Sequence, residues 1–137
     1  MKFSDFGMQQ WEELRPYMDT CLLPVTGMSG LESPWEATAK LEKLRDVMLE
    51  LENPYKGRIV TYPAVQYRSG TEEETTAHVN QICNHLKSGA FRFVIVVTAD
   101  PDMAAMRFEA ADLQVGPEPG GPRLEEQIKQ LWLTDKQ

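Results

Sequence analysis

Histidine and cysteine are scarce, at two residues each in a chain of 137. That scarcity excludes Cys/His zinc clusters, which need three or four such ligands at short spacing. His78 and His85 lie seven residues apart on one predicted helix. Two helical turns, roughly 10 Å, separate them, so one zinc ion with bonds of ~2 Å cannot join both. No histidine falls in a strand-end loop, so no serine there has an imidazole base. Cys21 and Cys83 sit in apolar segments without a neighbouring cation. They read as buried thiols of a reducing compartment rather than nucleophiles.

Cations are also in deficit: 14 Lys and Arg against 21 Asp and Glu give a formal charge of −7. Arg45, Lys56, Arg58, Arg68, Lys87 and Arg92 are scattered, and no basic patch emerges for a nucleic acid or an anionic membrane. Long apolar runs are missing. The longest, Phe93–Val97, falls far short of the ~20 residues that span a bilayer. Met1–Asp5 leads into polar sequence without the apolar core of a signal peptide, so the expected location is the cytoplasm. The Gly27 and Gly30 segment lacks G-x-G-x-x-G spacing, and no P-loop is present. Loop flexibility is the expected use of both glycines, and no cofactor is expected.

What is present is the material for one domain, residues 1–137, with 42% hydrophobic content. Ser4 or Asp5 opens a predicted helix running to Pro16. Thr20–Val25 is nearly continuously apolar, as in a strand buried on both faces, with Pro24 expected at its end. Thr26–Leu31 reads as a loop. Ser33, Pro34 and Glu36 form a capping box with proline at the first helical position. Ala37, Leu41, Leu44, Met48 and Leu51 then form the buried stripe of a helix ending at Asn53-Pro54.

Arg58–Tyr62 predicts a strand stopped by Pro63, and Gln66–Gly70 a loop. Thr71 and Glu74 form a second capping box, opening a helix to Ser88. Phe91–Thr98 predicts the most β-prone strand. Asp100-Pro101 caps a short helix over Asp102–Phe108, and Asp112–Val115 predicts a fourth strand. A turn over Gly116–Pro122 precedes an amphipathic helix over Leu124–Leu133. This alternation predicts an α/β fold: a mostly parallel sheet of about four strands in a three-layer α-β-α, Rossmann-like arrangement.

Ligands of open α/β sheets bind at the carboxyl ends of the strands. That rule selects Thr26, Ser29, Glu32, Gln66, Tyr67, Arg68, Thr98, Asp100 and Asp102. Of these, Thr26, Ser29, Gln66, Tyr67, Thr98 and Asp100 are the ligand-binding candidates; no residue is assigned as catalytic or metal-ligating. Asp100 and Asp102 could join a third carboxylate around Mg²⁺, but an N-cap role for Asp100 is the simpler reading. Glu72-Glu73-Glu74 fits the first turn of a helix, where the macrodipole favours negative charge.

Two resemblances follow from particular segments. Trp11 and Glu13 followed by Asp19–Gly27, the Tyr62–Tyr67 segment, and Ser88–Asp100 resemble the creatininase family of metal-dependent amidohydrolases over about residues 11–103. Where that family has its metal-binding Glu, His and Asn-Gly-His, this chain has Ser29, Leu31 and Thr98-Ala99-Asp100. The resemblance therefore implies the fold without the dimetal hydrolysis. Tyr17–Thr20, Tyr55–Val60 and the Tyr62-Pro63…Tyr67 pattern resemble the YpiF family of uncharacterised Firmicute proteins over nearly the whole chain. That family brings no activity with it.

The leading expectation is a non-enzymatic domain, a creatininase-like scaffold that binds or regulates a protein partner or small molecule. The alternative is a small-molecule hydrolase using Ser29, Gln66, Tyr67 and Asp100. A nucleotide-binding module is disfavoured by the acidic charge. Self-association through the terminal helix stays open, although Trp132 is more simply a core residue.

Overall fold

The computed structural model describes residues 1–117 and 121–134. The middle of the expected Gly116–Pro122 turn lies outside the described residues. A 3-10 turn over Phe3–Asp5 precedes α1 (Met8–Leu14), β1 (Thr20–Met28), α2 (Pro34–Glu52), β2 (Ile59–Thr61) and β3 (Val65–Tyr67). The chain continues through α3 (Glu72–Ser88), β4 (Phe93–Val97), α4 (Pro101–Ala105), β5 (Leu113–Val115) and α5 (Gly121–Leu133).

All pairings in the sheet are parallel, in the order β2-β1-β4-β5, with β3 also on β1. Thr20–Pro24 of β1 pairs with Phe93–Val97 of β4. The other side of β1 pairs first with β2, Thr20–Leu22 against Ile59–Thr61, and then with β3 from Val25 to Met28. Every residue of β1 is buried, which is why its sequence is apolar without alternation.

Side chains alternate across the sheet with the period of two that a pleat imposes. Cys21, Leu23 and Val25 pack with Val79 and Cys83 of α3 and Met103 of α4. Leu22, Ile95 and Val97 pack with Val47 and Leu51 of α2 and Leu124 and Ile128 of α5. The result is the expected three-layer α-β-α arrangement.

At the amino ends of the strands, Arg58 donates to both carboxylate oxygens of Asp19, at 2.8 and 3.1 Å. Its guanidinium lies 4.2 Å from the ring centroid of Trp132. The Trp132 indole in turn donates to Thr20 Oγ1 at 2.9 Å. These contacts seat α5 on the sheet, so Trp132 is spent internally.

Several local expectations are corrected. The predicted Ser4–Pro16 helix is a 3-10 turn and a separate α1, because the chain extends through Phe6 and Gly7 before α1 begins. That detour lets Phe6 and Trp11 meet edge-on at 5.3 Å. Pro24 lies inside β1, not at its end. Thr20 N–H and Leu22 C=O both bond toward β2, so position 24 faces the same side. There the strand edge is interrupted between Thr61 and Val65, so the residue without an N–H falls where the ladder is already broken.

The loop expected at Gln66–Gly70 starts later, because Val65–Tyr67 resumes pairing as a fifth strand. The helix expected over Asp102–Phe108 ends at Ala105. Leu41, placed by periodicity in the buried stripe of α2, is 41% exposed, and the buried residues are Leu44, Val47 and Leu51.

Candidate functional site

Three N-caps place the loops at the carboxyl edge of the sheet. Ser33 and Glu36 form the reciprocal capping box that opens α2. Thr71 accepts from Glu74 N–H at the start of α3. Asp100 Oδ1 accepts from the N–H groups of Asp102 and Met103, at 2.8 and 3.3 Å, at the start of α4. Each cap satisfies amides that the helix itself leaves without partners.

Asp100 Oδ2 points the other way, 3.1 Å from Arg68 Nη2 and 3.7 Å from Lys40 Nζ. Lys40 also lies 3.5 Å from Glu32 Oε2, and Arg68 reaches Asp102 at 3.4 Å. Arg68 Nε donates to Gly27 C=O at 2.8 Å. Three carboxylates and two cations, from the β1–α2 loop, α2, the segment after β3 and the start of α4, thus form one connected group of net charge −1.

Glu32 is held by its own loop. It accepts from the N–H groups of Ser29 and Gly30 and from the Ser29 hydroxyl, at 2.9 to 3.2 Å. The Ser29 N–H first, and then the N–H groups of Glu32 itself and of Gly30, bring its carboxyl down to about 2. A carboxylate with so little proton affinity is a poor base for the adjacent Ser29 hydroxyl.

Among the expected site residues, Thr26 and Gln66 meet directly: the buried Thr26 hydroxyl donates to Gln66 Oε1 at 2.7 Å. Both were expected in loops and both lie in strands, because β1 runs on to Met28 and β3 pairs beside it. Thr98 is fully buried, and its hydroxyl accepts from Asp100 N–H at 3.2 Å. Thr98 therefore fixes Asp100 from beneath. Tyr67 is 58% exposed at the end of β3, in register with Met28. Ser29 is exposed in the β1–α2 loop.

Gly27 has a stricter role than loop flexibility. Its φ is +79°, and a Cβ there would lie 2.5 Å from Met103 Cγ and 3.2 Å from Asp100 Oδ2. Only glycine lets α4 approach β1 this closely. Gly30, at φ +94° with open space around it, fits the simpler expectation.

Residues 9–120 match a family of proteins of unknown function, DUF2487. The chain belongs to that family. No curated protein and no solved structure matches it significantly.

In this DUF2487 chain, Lys40 was not legible as a site residue. Its local signal is the i,i+4 spacing from Glu36, which ordinarily marks a solvated helix face. His78 and His85 are exposed on α3, away from the strand-end loops. Among the described residues, no group of three or more His, Cys, Asp or Glu side chains is placed to hold a metal ion. Asp100 Oδ1 is engaged as a cap and Oδ2 with the two cations. No helix among the described residues is long and apolar enough to cross a membrane.

Proposed function

We propose that this DUF2487 protein acts on a small polar molecule at the carboxyl edge of its sheet, with hydrolysis as the reaction. One observation carries the proposal: Glu32, Lys40, Arg68, Asp100 and Asp102 converge from separate segments beside the Thr26–Gln66 pair. Lys40 and Arg68 would stabilise oxyanion charge as it develops, and Asp100 holds both cations in place. Asp102, the more exposed of the two aspartates, would orient the attacking water. Ser29 and Tyr67 would contact the substrate at the rim. With Glu32 held at about 2, Ser29 serves binding rather than nucleophilic attack.

A panel of small esters and amides, assayed with wild type, Lys40→Met and Tyr67→Ala, tests this reading. Turnover by the wild type should fall about 10²-fold in kcat/KM in Lys40→Met, the scale of losing one oxyanion donor. The melting temperature should change by only a few degrees. Turnover indifferent to both substitutions would remove the edge from the mechanism.

The competing reading, a non-enzymatic domain that binds a partner, is favoured by the ion pairing that already engages all three carboxylates. Absence of turnover across the panel would favour it. The kinships to the YpiF family and to a creatininase-like scaffold without its metal ligands belong to the same proposal. The segments quoted for the creatininase resemblance fall on β1, on the β2–β3 edge and on β4, and those quoted for the YpiF resemblance around the start of β1 and along β2 and β3.

A further inference from the structure

Away from the strand-end cluster, the β2–β3 interruption leaves a notch in the sheet edge opposite Pro24. A cavity of about 240 Å³ opens there, with walls from Pro24, Leu41, Leu44, Met48, Phe3 and Tyr62. Helical spacing marks Leu41 as a core position, yet 41% of it is exposed. Hydrogen bonding to β1 runs to Tyr62 N–H on Leu22 C=O and the strand register resumes at Val65, so the segment beside Pro24 on this side is outside any strand. An apolar stripe written for burial thus runs out over a gap.

The charged side chains that line this gap are cationic, and an acidic residue, Glu52, is paired with one of them. The charged side chains among its described lining residues are Lys2 and Arg45, in a chain of net charge −7. Lys2 Nζ donates to Glu52 at 3.2 Å, and Glu52 also accepts from the Thr61 hydroxyl at 2.7 Å. Lys2 is therefore held beside the cavity. Among the described residues, Arg45 has Asp46 as its ion-pair partner, at 3.7 Å, with both side chains about two-thirds exposed. A pair of that kind contributes little and is readily exchanged for another anion.

An apolar trough with cations at its rim is complementary to an amphipathic anion. We propose that this notch binds a short-chain aliphatic carboxylate, its tail along Pro24, Leu41, Leu44 and Met48 and its head group at Arg45 and Lys2. The trough is smaller than the 300–1,000 Å³ typical of drug-sized sites, which suits a single unbranched chain. Binding covers Leu41 and supplies Arg45 with a better partner than Asp46. It requires nothing of the strand-end cluster, so the two sites stand or fall separately.

Calorimetric titration of the full chain with butanoate, hexanoate, octanoate and octylammonium tests the assignment. Each added methylene should tighten binding up to about fourfold until the trough is filled, as expected for burial of a CH₂ group. Arg45→Glu should weaken octanoate about tenfold or more. Leu41→Glu, at a position already exposed, should do likewise while the melting temperature stays near that of the wild type. Octylammonium binding as tightly as octanoate would overturn the proposal. So would affinity independent of chain length, or no heat with octanoate at millimolar concentration.

Discussion

Replacing Gly27 with alanine tests the geometry that brings α4 onto β1. Two costs add. Moving an L-residue to φ +79° costs about 1–2 kcal/mol. Forcing a Cβ to within 2.5 Å of Met103 Cγ requires a buried side chain to move, at about 1–3 kcal/mol. The expected destabilisation is about 2–5 kcal/mol. With an unfolding entropy of about 2.1 cal/mol/K per residue, one kcal/mol shifts the melting temperature of a chain this long by about 3.5 °C. Gly27→Ala should therefore melt about 7–17 °C lower, by circular dichroism or calorimetry. Gly30→Ala provides the control: its φ is +94° but no atom lies within 4 Å of the new Cβ. It should lose only the backbone cost, about 4–7 °C. In a Met103→Ala background the steric part of the Gly27→Ala penalty should vanish, leaving a coupling of about 1–3 kcal/mol in the double-mutant cycle. Equal losses from Gly27→Ala and Gly30→Ala, with no coupling to Met103, would refute the close approach of α4 to β1.

Four further outcomes follow. The carboxyl of Glu32 is depressed from 4.5 to about 2, so its stabilisation is complete above pH 4.5 and is lost as the pH falls toward 2. The stability difference between wild type and Glu32→Gln should shrink over that window, and a Glu32 carboxyl titrating near 4 by NMR would contradict it. Asp100→Ala should cost about 1 kcal/mol or more through the lost cap, whereas Asp100→Asn retains capping and loosens only Arg68 and Lys40; thermal melts separate the two. Trp132→Phe gives up the bond to Thr20 and part of the stacking on Arg58, about 1–2 kcal/mol together, measurable by urea titration. Burial pushes the thiols of Cys21 and Cys83 upward, Cys83 to about 11. Neither should react with an aromatic disulfide at pH 8 until denaturant is added; prompt labelling of the native chain would place a cysteine at the surface.

The features readable from sequence are those fixed by short-range chemistry. Ser33, Thr71 and Asp100 announce helix starts because their side chains replace bonds that each helix lacks. Val94–Val97 announces a strand because four β-branched residues in a row suit a pleated, buried surface. The features that escaped depend on partners distant in sequence. Val65–Tyr67 is too short to declare itself a strand, and becomes one because β1 extends three residues past Val25. Pro24 argued for a strand end until the gap across from it removed the need for its N–H. Leu41 looked buried because periodicity records the helix face, not whether a strand lies beneath it.

The candidate site divides the same way. The strand-end rule places Ser29, Glu32, Gln66, Arg68 and Asp100 on one edge from sequence alone. It could not say that Thr98 and Thr26 face inward as supports, nor that Lys40 reaches over from α2. Alternation decides which residues of a strand face the core, and one residue of register reverses the answer.

The most direct measurement of the central claim is a ¹H–¹⁵N NMR titration of the isotope-labelled chain with a library of small polar esters, amides and their acid products. The account predicts saturable shifts confined to Ser29–Glu32, Gln66–Arg68 and Asp100–Met103, and their loss in Lys40→Met. Saturable binding that leaves all three segments unmoved, or no binding across the library, would contradict it.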